Sequence, residues 1–232
     1  MRILAVETAT PQGSIALADD SGVLVEIQSP EGMAHARWLM PAIEQLFRET
    51  GLSLEEIDGL AVSAGPGSFT GLRIGLSTAK GLALAAGKPV VAVPTLDALA
   101  RPVPSRRRLL CPILDARKKE VYAAFFHPDG KGGLTRQTDD LALPPDRLAE
   151  RIAEPVLFAG NGIDPYRQVL EAVLGRRALF ASKRFHFPRA RAVAELGLIR
   201  LAGGRADALE SLEPRYVRLS EAEMKRQKKG SR

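Results

Sequence analysis

The chain opens with three stretches whose apolar positions either fill a short run or follow a two-residue period. Arg2 to Thr8 (RILAVET) has the β-branched and apolar content of a central strand, and Thr10-Pro11-Gln12-Gly13 supplies a turn. Ser14 to Asp19 (SIALAD) alternates, Ser21-Gly22 turns, and Val23 to Gln28 (VLVEIQ) alternates again, which predicts three antiparallel strands. The period then changes. From about His35 to Thr50, closed by Gly51, the residues Trp38, Leu39, Met40, Ala42, Ile43, Leu46 and Phe47 take helical spacing. At ~100° per residue they spread over roughly 200°. A helix resting on one sheet needs about half that arc, so a second buried face is predicted.

The stretch Leu60 to Ala86 changes period within itself. Leu60-Ala61-Val62 suits a buried strand, Gly65-Pro66-Gly67 breaks it, and helical spacing resumes from about Thr70, with Ser68 or Thr70 placed to cap the helix. Gly71, Gly75, Ala79 and Ala83 recur every fourth residue as a ridge almost without side chains. Glycine costs roughly 1 kcal/mol against alanine inside a helix, so the ridge predicts close approach of another backbone. That backbone can belong to the chain's own sheet or to a second molecule. Leu72, Ile74, Leu76, Leu82 and Leu84 point in several directions, more apolar surface than one sheet covers, which predicts a protein interface.

A short strand at Pro89 to Val93 and a turn with a brief helix over Pro94 to Ala100 follow. Arg101 to Arg108 (RPVPSRRR) has little to bury and marks a boundary between subdomains 1–104 and 105–232. Strands begin again at Leu109 to Asp115 and Glu120 to His127. A helix from Pro145 to about Ala153, a strand at Val156 to Ala159 ending in Gly160-Asn161-Gly162, and a helix from Pro165 to Leu174 come next. A short strand near Ala178 to Ala181, a helix from about Ala190 to Ala202 and a polar end complete the pattern. Both halves start with antiparallel strands and continue as α/β, a duplicated architecture in which the final segment can pack back on the first half.

Composition narrows the setting more than the chemistry. The length of 232 residues suffices for two small subdomains, and one cysteine, Cys111, excludes an internal disulfide framework and fits a reducing compartment. No apolar run approaches the ~20 residues of a membrane span and no targeting signal opens the chain, so a cytoplasmic protein without membrane contact is expected. The net charge of +6 allows an anionic partner, but much of it lies in Arg106-Arg107-Arg108 and in Lys225-Arg226-Gln227-Lys228-Lys229, read as solvated segments.

The search for catalytic chemistry returns negatives. Gly87-Lys88 is followed by Pro89, which lacks the hydroxyl of a P-loop, and neither Gly65-Pro66-Gly67 nor Gly160-Asn161-Gly162 supplies the third glycine of a dinucleotide fingerprint. His35, His127 and His186 are scattered, and position 39, one turn after His35, is leucine, so no histidine pair can grip a metal. Cys111 reads as a core thiol, Asp115-Ala116-Arg117 as a structural ion pair, and Asp19-Asp20 and Asp139-Asp140 as solvated loop carboxylates.

The segments ILAVETAT, HARWLMP, SAGPGSFTGLRIGLSTAKGLA, DARKKEVYAAF, the GNG turn and PRYVRLSEAE, in that order from Ile3 to Glu223, together resemble the bacterial TsaB family, also called YeaZ. The resemblance implies the actin-like, Hsp70-like ATPase fold of ribonuclease H-like type, with two related α/β subdomains and mixed sheets. It implies a non-catalytic partner of the larger paralogue TsaD, acting with the ATPase TsaE and a TsaC-type enzyme to place threonylcarbamoyl on the tRNA adenosine beside the anticodon. The complex uses ATP, and tRNA is met through the complex. TsaD carries two metal-binding histidines one turn apart where this chain has His35 and Leu39. Kinases of the fold carry an aspartate and a glycine turn where it has Glu7-Thr8-Ala9-Thr10. No cofactor and no metal bound tightly by this chain alone is therefore expected.

The family resemblance also implies that the helices His35 to Thr50 and Thr70 to Ala86 pack against matching helices of TsaD, or against a second copy when TsaD is absent. On that basis Leu39, Ile43, Leu72, Gly75 and Leu76 are expected as core contacts of the interface, with His35, Arg73 and Lys80 near its rim. Tyr216 and Arg218 are expected in a closing segment that packs on the body. A stand-alone ATP-dependent kinase or ATPase of the same fold and a metallopeptidase-like protein are the alternative readings.

Overall fold

The computed structural model describes residues 1–105 and 107–217. Strands β1 (Arg2–Glu7), β2 (Ser14–Asp19) and β3 (Gly22–Gln28) form the antiparallel opening that the alternation predicts. Helix α1 (His35–Thr50) carries the chain to β4 (Gly59–Gly65), which pairs parallel with β1, and α2 (Phe69–Ala86) carries it to β5 (Val90–Pro94), parallel to β4. The sheet order is β3-β2-β1-β4-β5. Ser68 caps α2 by accepting a hydrogen bond from the Gly71 N–H at 3.2 Å.

The first sheet is buried on both faces, and its side-chain sizes follow from that. Leu4, Val6, Ile15, Leu17, Leu60 and Val62 face α1 and α2, and meet Trp38, Leu39, Ala42, Ile43, Leu46 and Leu76. The opposite face carries Ile3, Ala5, Ala16, Ala18 and Ala61, residues small enough to admit a closely packed helix.

After the short helix α3 (Thr95–Ala100) the plan repeats. Strand β6 (Leu109–Asp115) is central to the second sheet, antiparallel to β7 (Val121–Ala123) and to β8 (Phe126–Pro128). The strand expected over Glu120 to His127 is therefore split. At the break the Phe125 N–H donates to Thr138 Oγ1 at 3.1 Å and its carbonyl accepts from Gln137 N–H at 2.8 Å, so the backbone leaves β6 for two residues. Strands β9 (Leu134–Arg136) and β10 (Leu141–Leu143) pair with β8 and β7. Helix α4 (Pro145–Glu150), strand β11 (Val156–Ala159), helix α5 (Ile163–Leu174) and strand β12 (Ala178–Phe180) complete this half, with β6, β11 and β12 parallel. Each sheet thus has a central strand with antiparallel neighbours on one side and two parallel strands on the other.

Helix α6 (Ala190–Ala202) returns to the first sheet and covers its small-residue face with Ala190, Val193 and Ala194. Its start is fixed where Ser14 Oγ accepts from the Ala190 N–H at 2.8 Å and Glu26 pairs with Arg189 at 2.6 Å. Arg136 links the halves, pairing with Asp97 of α3 and with Asp140. Asp140 is thereby drawn out of solvent, contrary to the expectation of a solvated loop carboxylate.

Candidate protein-docking face

The small ridge of α2 meets a close backbone, and that backbone is the chain's own. A Cβ on Gly71 would lie 2.0 Å from the Thr8 carbonyl oxygen, and one on Gly75 would lie 2.2 Å from Thr8 Oγ1. Thr8 Oγ1 donates to the Gly71 carbonyl at 2.8 Å, and the Ser68 N–H donates to the Ala9 carbonyl at 2.7 Å. The ridge therefore docks α2 on the end of β1.

The five residues expected as core contacts of an interface are largely used within the chain. Leu39, Ile43, Leu72, Gly75 and Leu76 are buried within the single chain, with Leu39 1% and Leu72 0% exposed, so they have almost no surface left for a second molecule. Apart from Met40, the apolar arc of α1 packs inside the fold, because the helix meets the sheet and α2 at once. His35 is half-buried beneath Gly13 and donates through Nε2 to the Thr10 carbonyl at 2.8 Å. Its buried Nδ1 has no hydrogen-bond partner among the described residues.

Between α1 and α2 runs a groove of about 370 Å³ lined by Ala36, Leu39, Met40, Arg73, Ile74, Ser77 and Thr78. Met40 is 50% and Leu84 76% exposed. Ser77, Gly81 and Ala85 form a second small stripe at four-residue spacing, all exposed, and nothing lies within 4 Å of a Cβ built on Gly81. A glycine on an exposed helix face with no intrachain contact is the same kind of signal as the inward ridge carries.

Arg73 and Lys80 hold a strap formed by the described end of the chain. Arg73 Nε donates to the Tyr216 hydroxyl at 3.1 Å and its guanidinium lies 3.9 Å from the Phe69 ring centroid, while Phe69 and Tyr216 stack at 5.0 Å. Lys80 Nζ donates to the Leu212 carbonyl at 3.2 Å, and Arg215 N–H to the Ala64 carbonyl at 2.7 Å. Arg218 and the segment that follows it lie outside the described residues, as does Arg106.

At the strand ends where kinases of this fold hold phosphate, the polar atoms are used internally. Glu7 is fully buried and accepts from Ser63 Oγ–H and, at 2.6 Å, from the Ala9 N–H. Burial pushes its carboxyl pKa up to about 7, against the opposing pull of those two hydrogen bonds. A carboxylate so enclosed does not fit a water-ringed magnesium ion, and the following turn spends its carbonyls on α2 and His35. In the second half Asp115 Oδ1 accepts from the Arg117 N–H at 2.9 Å and from the Tyr166 hydroxyl at 3.3 Å. Burial raises the Tyr166 pKa, with the Asp115 charge adding to it. The Asp115 N–H donates to Asn161 Oδ1 at 3.1 Å. Gly160 packs so tightly that a Cβ would lie 2.0 Å from the Ile113 carbonyl oxygen, which makes the GNG segment a packed turn.

Among the described residues no three His, Cys, Asp or Glu side chains converge as a metal-binding group, and no helix is long and apolar enough to cross a membrane. Cys111 is buried and desolvation pushes its thiol pKa far up, as for a core thiol.

Two mixed sheets built on one plan, each with a central strand between antiparallel and parallel neighbours, define a two-subdomain protein of the actin-like, ribonuclease H-like ATPase fold. A family model described as TsaD, tRNA N6-adenosine threonylcarbamoyltransferase, matches residues 22–226. The chain is 35% identical over 97% of its length to the tRNA threonylcarbamoyladenosine biosynthesis protein TsaB of Bacillus subtilis, covering 97% of that protein. It is 32% identical to the TsaB of Escherichia coli, over 94% of this chain and 95% of that one. A solved Pseudomonas aeruginosa protein, described as similar to the peptidase YeaZ, superposes with a TM-score of 0.80 at 30% identity, covering 94% of this chain and 99% of the other. The chain belongs to the TsaB (YeaZ) family and has a part in tRNA threonylcarbamoyladenosine biosynthesis.

Proposed function

We propose that this chain is a non-catalytic docking subunit that pairs through the outward faces of α1 and α2 with a TsaD-type paralogue, and that the pair, with the ATPase TsaE, threonylcarbamoylates tRNA in the cytoplasm. The observation that carries the reading is the exposed α1–α2 face: a groove with Met40 and Ile74 on its walls and, beside it, Gly81 in open space with the exposed Leu84. A small stripe flanked by apolar side chains admits a second helix at close range. The same face pairs with a second copy when the paralogue is absent. The enclosed Glu7 supports the non-catalytic assignment, and ATP is consumed elsewhere in the complex.

Partner binding can activate only by differential affinity, so the docked face holds the paralogue in its competent shape. The test is threonylcarbamoyl transfer to tRNA by the other three components, without this chain, with it, and with Gly81→Arg. A Cβ at Gly81 meets nothing within 4 Å among the described residues, so the variant should keep the fold and block the face. Transfer that needs the chain and fails with the variant supports the reading. Transfer indifferent to the chain overturns it, and transfer that survives Gly81→Arg and Met40→Asp alike removes this face from it.

A further inference from the structure

We propose that the turn Arg117-Lys118-Lys119 is a contact site for the phosphate backbone of RNA. It joins β6 to β7, and its three residues have φ of 61°, 53° and 63°. Among the described residues these are the only non-glycine positions with positive φ. L side chains are crowded in that region and visit it as single residues, so a run of three without a glycine is unusual. Glycine would make the same turn with less crowding. The turn thus presents three successive cations where glycine would be less crowded.

The base of the turn is fixed while its tip faces water. The Arg117 N–H is held by Asp115 Oδ1, the Arg117 carbonyl accepts from the Glu120 N–H at 3.0 Å, and the Ala116 N–H donates to the Glu120 carbonyl at 3.0 Å. Asp115 is in turn fixed by Asn161 and Tyr166. All three cationic residues are exposed, the Arg117 side chain by 79%, with the Asp115 carboxylate 3.6 Å from its guanidinium. Successive charges on a rigid mount fit an array of spaced anions without asking for apolar burial.

The charge of the whole chain divides in the same direction. Residues 1–104 hold seven Lys and Arg against eleven Asp and Glu, whereas residues 105–232 hold 26 against 16. The basic excess therefore belongs to the half that carries this turn, not to the half that carries the α1–α2 groove. RNA is chosen among polyanions because the chain belongs to a family of tRNA threonylcarbamoyladenosine biosynthesis proteins. The inference rests on that role and not on docking through α1 and α2.

The experiment titrates a fluorescein-labelled, unmodified tRNA transcript with the full chain, alone and with the TsaD-type paralogue, at 50 and 200 mM KCl. Wild type is compared with the triple variant Arg117→Gly, Lys118→Gly, Lys119→Gly, and with a second triple in which all three become Gln. Both triples should bind at least about tenfold more weakly at the lower salt, and the slope of log K against log salt should fall by about 2, the counterions of nearly three phosphate contacts. The glycine triple should melt no lower than wild type, which separates lost binding from lost folding. Gly81→Arg should bind the transcript as wild type does, so failure of the docking reading leaves this measurement untouched. Equal affinity and slope for wild type and both triples, or no binding by wild type in either setting, would each overturn the proposal.

Discussion

The side-chain carbon that Gly75 lacks would stand 2.2 Å from the hydroxyl oxygen of Thr8, and that hydroxyl donates at 2.8 Å to the carbonyl of Gly71. One threonine at the end of β1 thus sets how near α2 approaches the sheet.

Gly75→Ala should destabilise the protein. Forcing an extra carbon into this contact costs about 1–3 kcal/mol, offset by at most roughly 1 kcal/mol of better helix propensity. Urea unfolding reads the difference. Thr8→Ala removes the obstructing oxygen, so Gly75→Ala should cost less in that background; strict additivity of the two changes would show that they do not meet. Gly75→Trp should fail to fold.

Glu7 predicts a pH dependence of definite sign. Its carboxyl is raised from 4.5 to about 7 in the folded chain, so between those values the unfolded chain releases a proton that the folded chain retains. The contribution is present below pH 4.5 and stability falls as pH rises through the window, by about 3 kcal/mol at about 1.4 kcal/mol per unit. Glu7→Gln cannot titrate. It should match wild type near pH 5 and melt several degrees higher at pH 8, and parallel melting profiles for the two proteins would refute the assignment.

The strap over α2 should open without the rest of the molecule. Tyr216→Ala removes the stack on Phe69 and the hydrogen bond from Arg73. An exposed aromatic contact of this kind is worth about 0.5–1.5 kcal/mol, so global melting should move little. Hydrogen exchange should instead quicken at the Arg215 amide, which donates to Ala64. Unchanged protection there would mean that Leu212, buried in the core, anchors the strap by itself.

The strands of the first sheet, both long helices and α6 were legible because their periods are unbroken and their ends carry turn residues. Strands β9 and β10 were missed, since three residues are too few to show a period. Helices α1 and α2 were readable, and which way their small-residue faces turn was not. Gly71 and Gly75 form the more conspicuous ridge, but a glycine signals close approach without saying to what, and only the position of Thr8 shows that this ridge turns inward. The stripe Ser77-Gly81-Ala85 carried the same signal more weakly. The conformation of Arg117 to Lys119 had no sequence signal, because glycine or asparagine usually marks a left-handed turn and neither is present.

Helix α6 gives the fold an order in time. β1 and β2 leave the ribosome well before α6, yet Ile3, Ala5, Ala16 and Ala18 stay uncovered on one face until the chain has been made through Val193 and Ala194. A nascent chain stalled before Ala190 should therefore be cut readily by protease within residues 2–19, and one released after Ala202 should resist. The first sheet is made before the second half but is covered only by a helix that follows it, so the first half completes its packing after the second half has been synthesised.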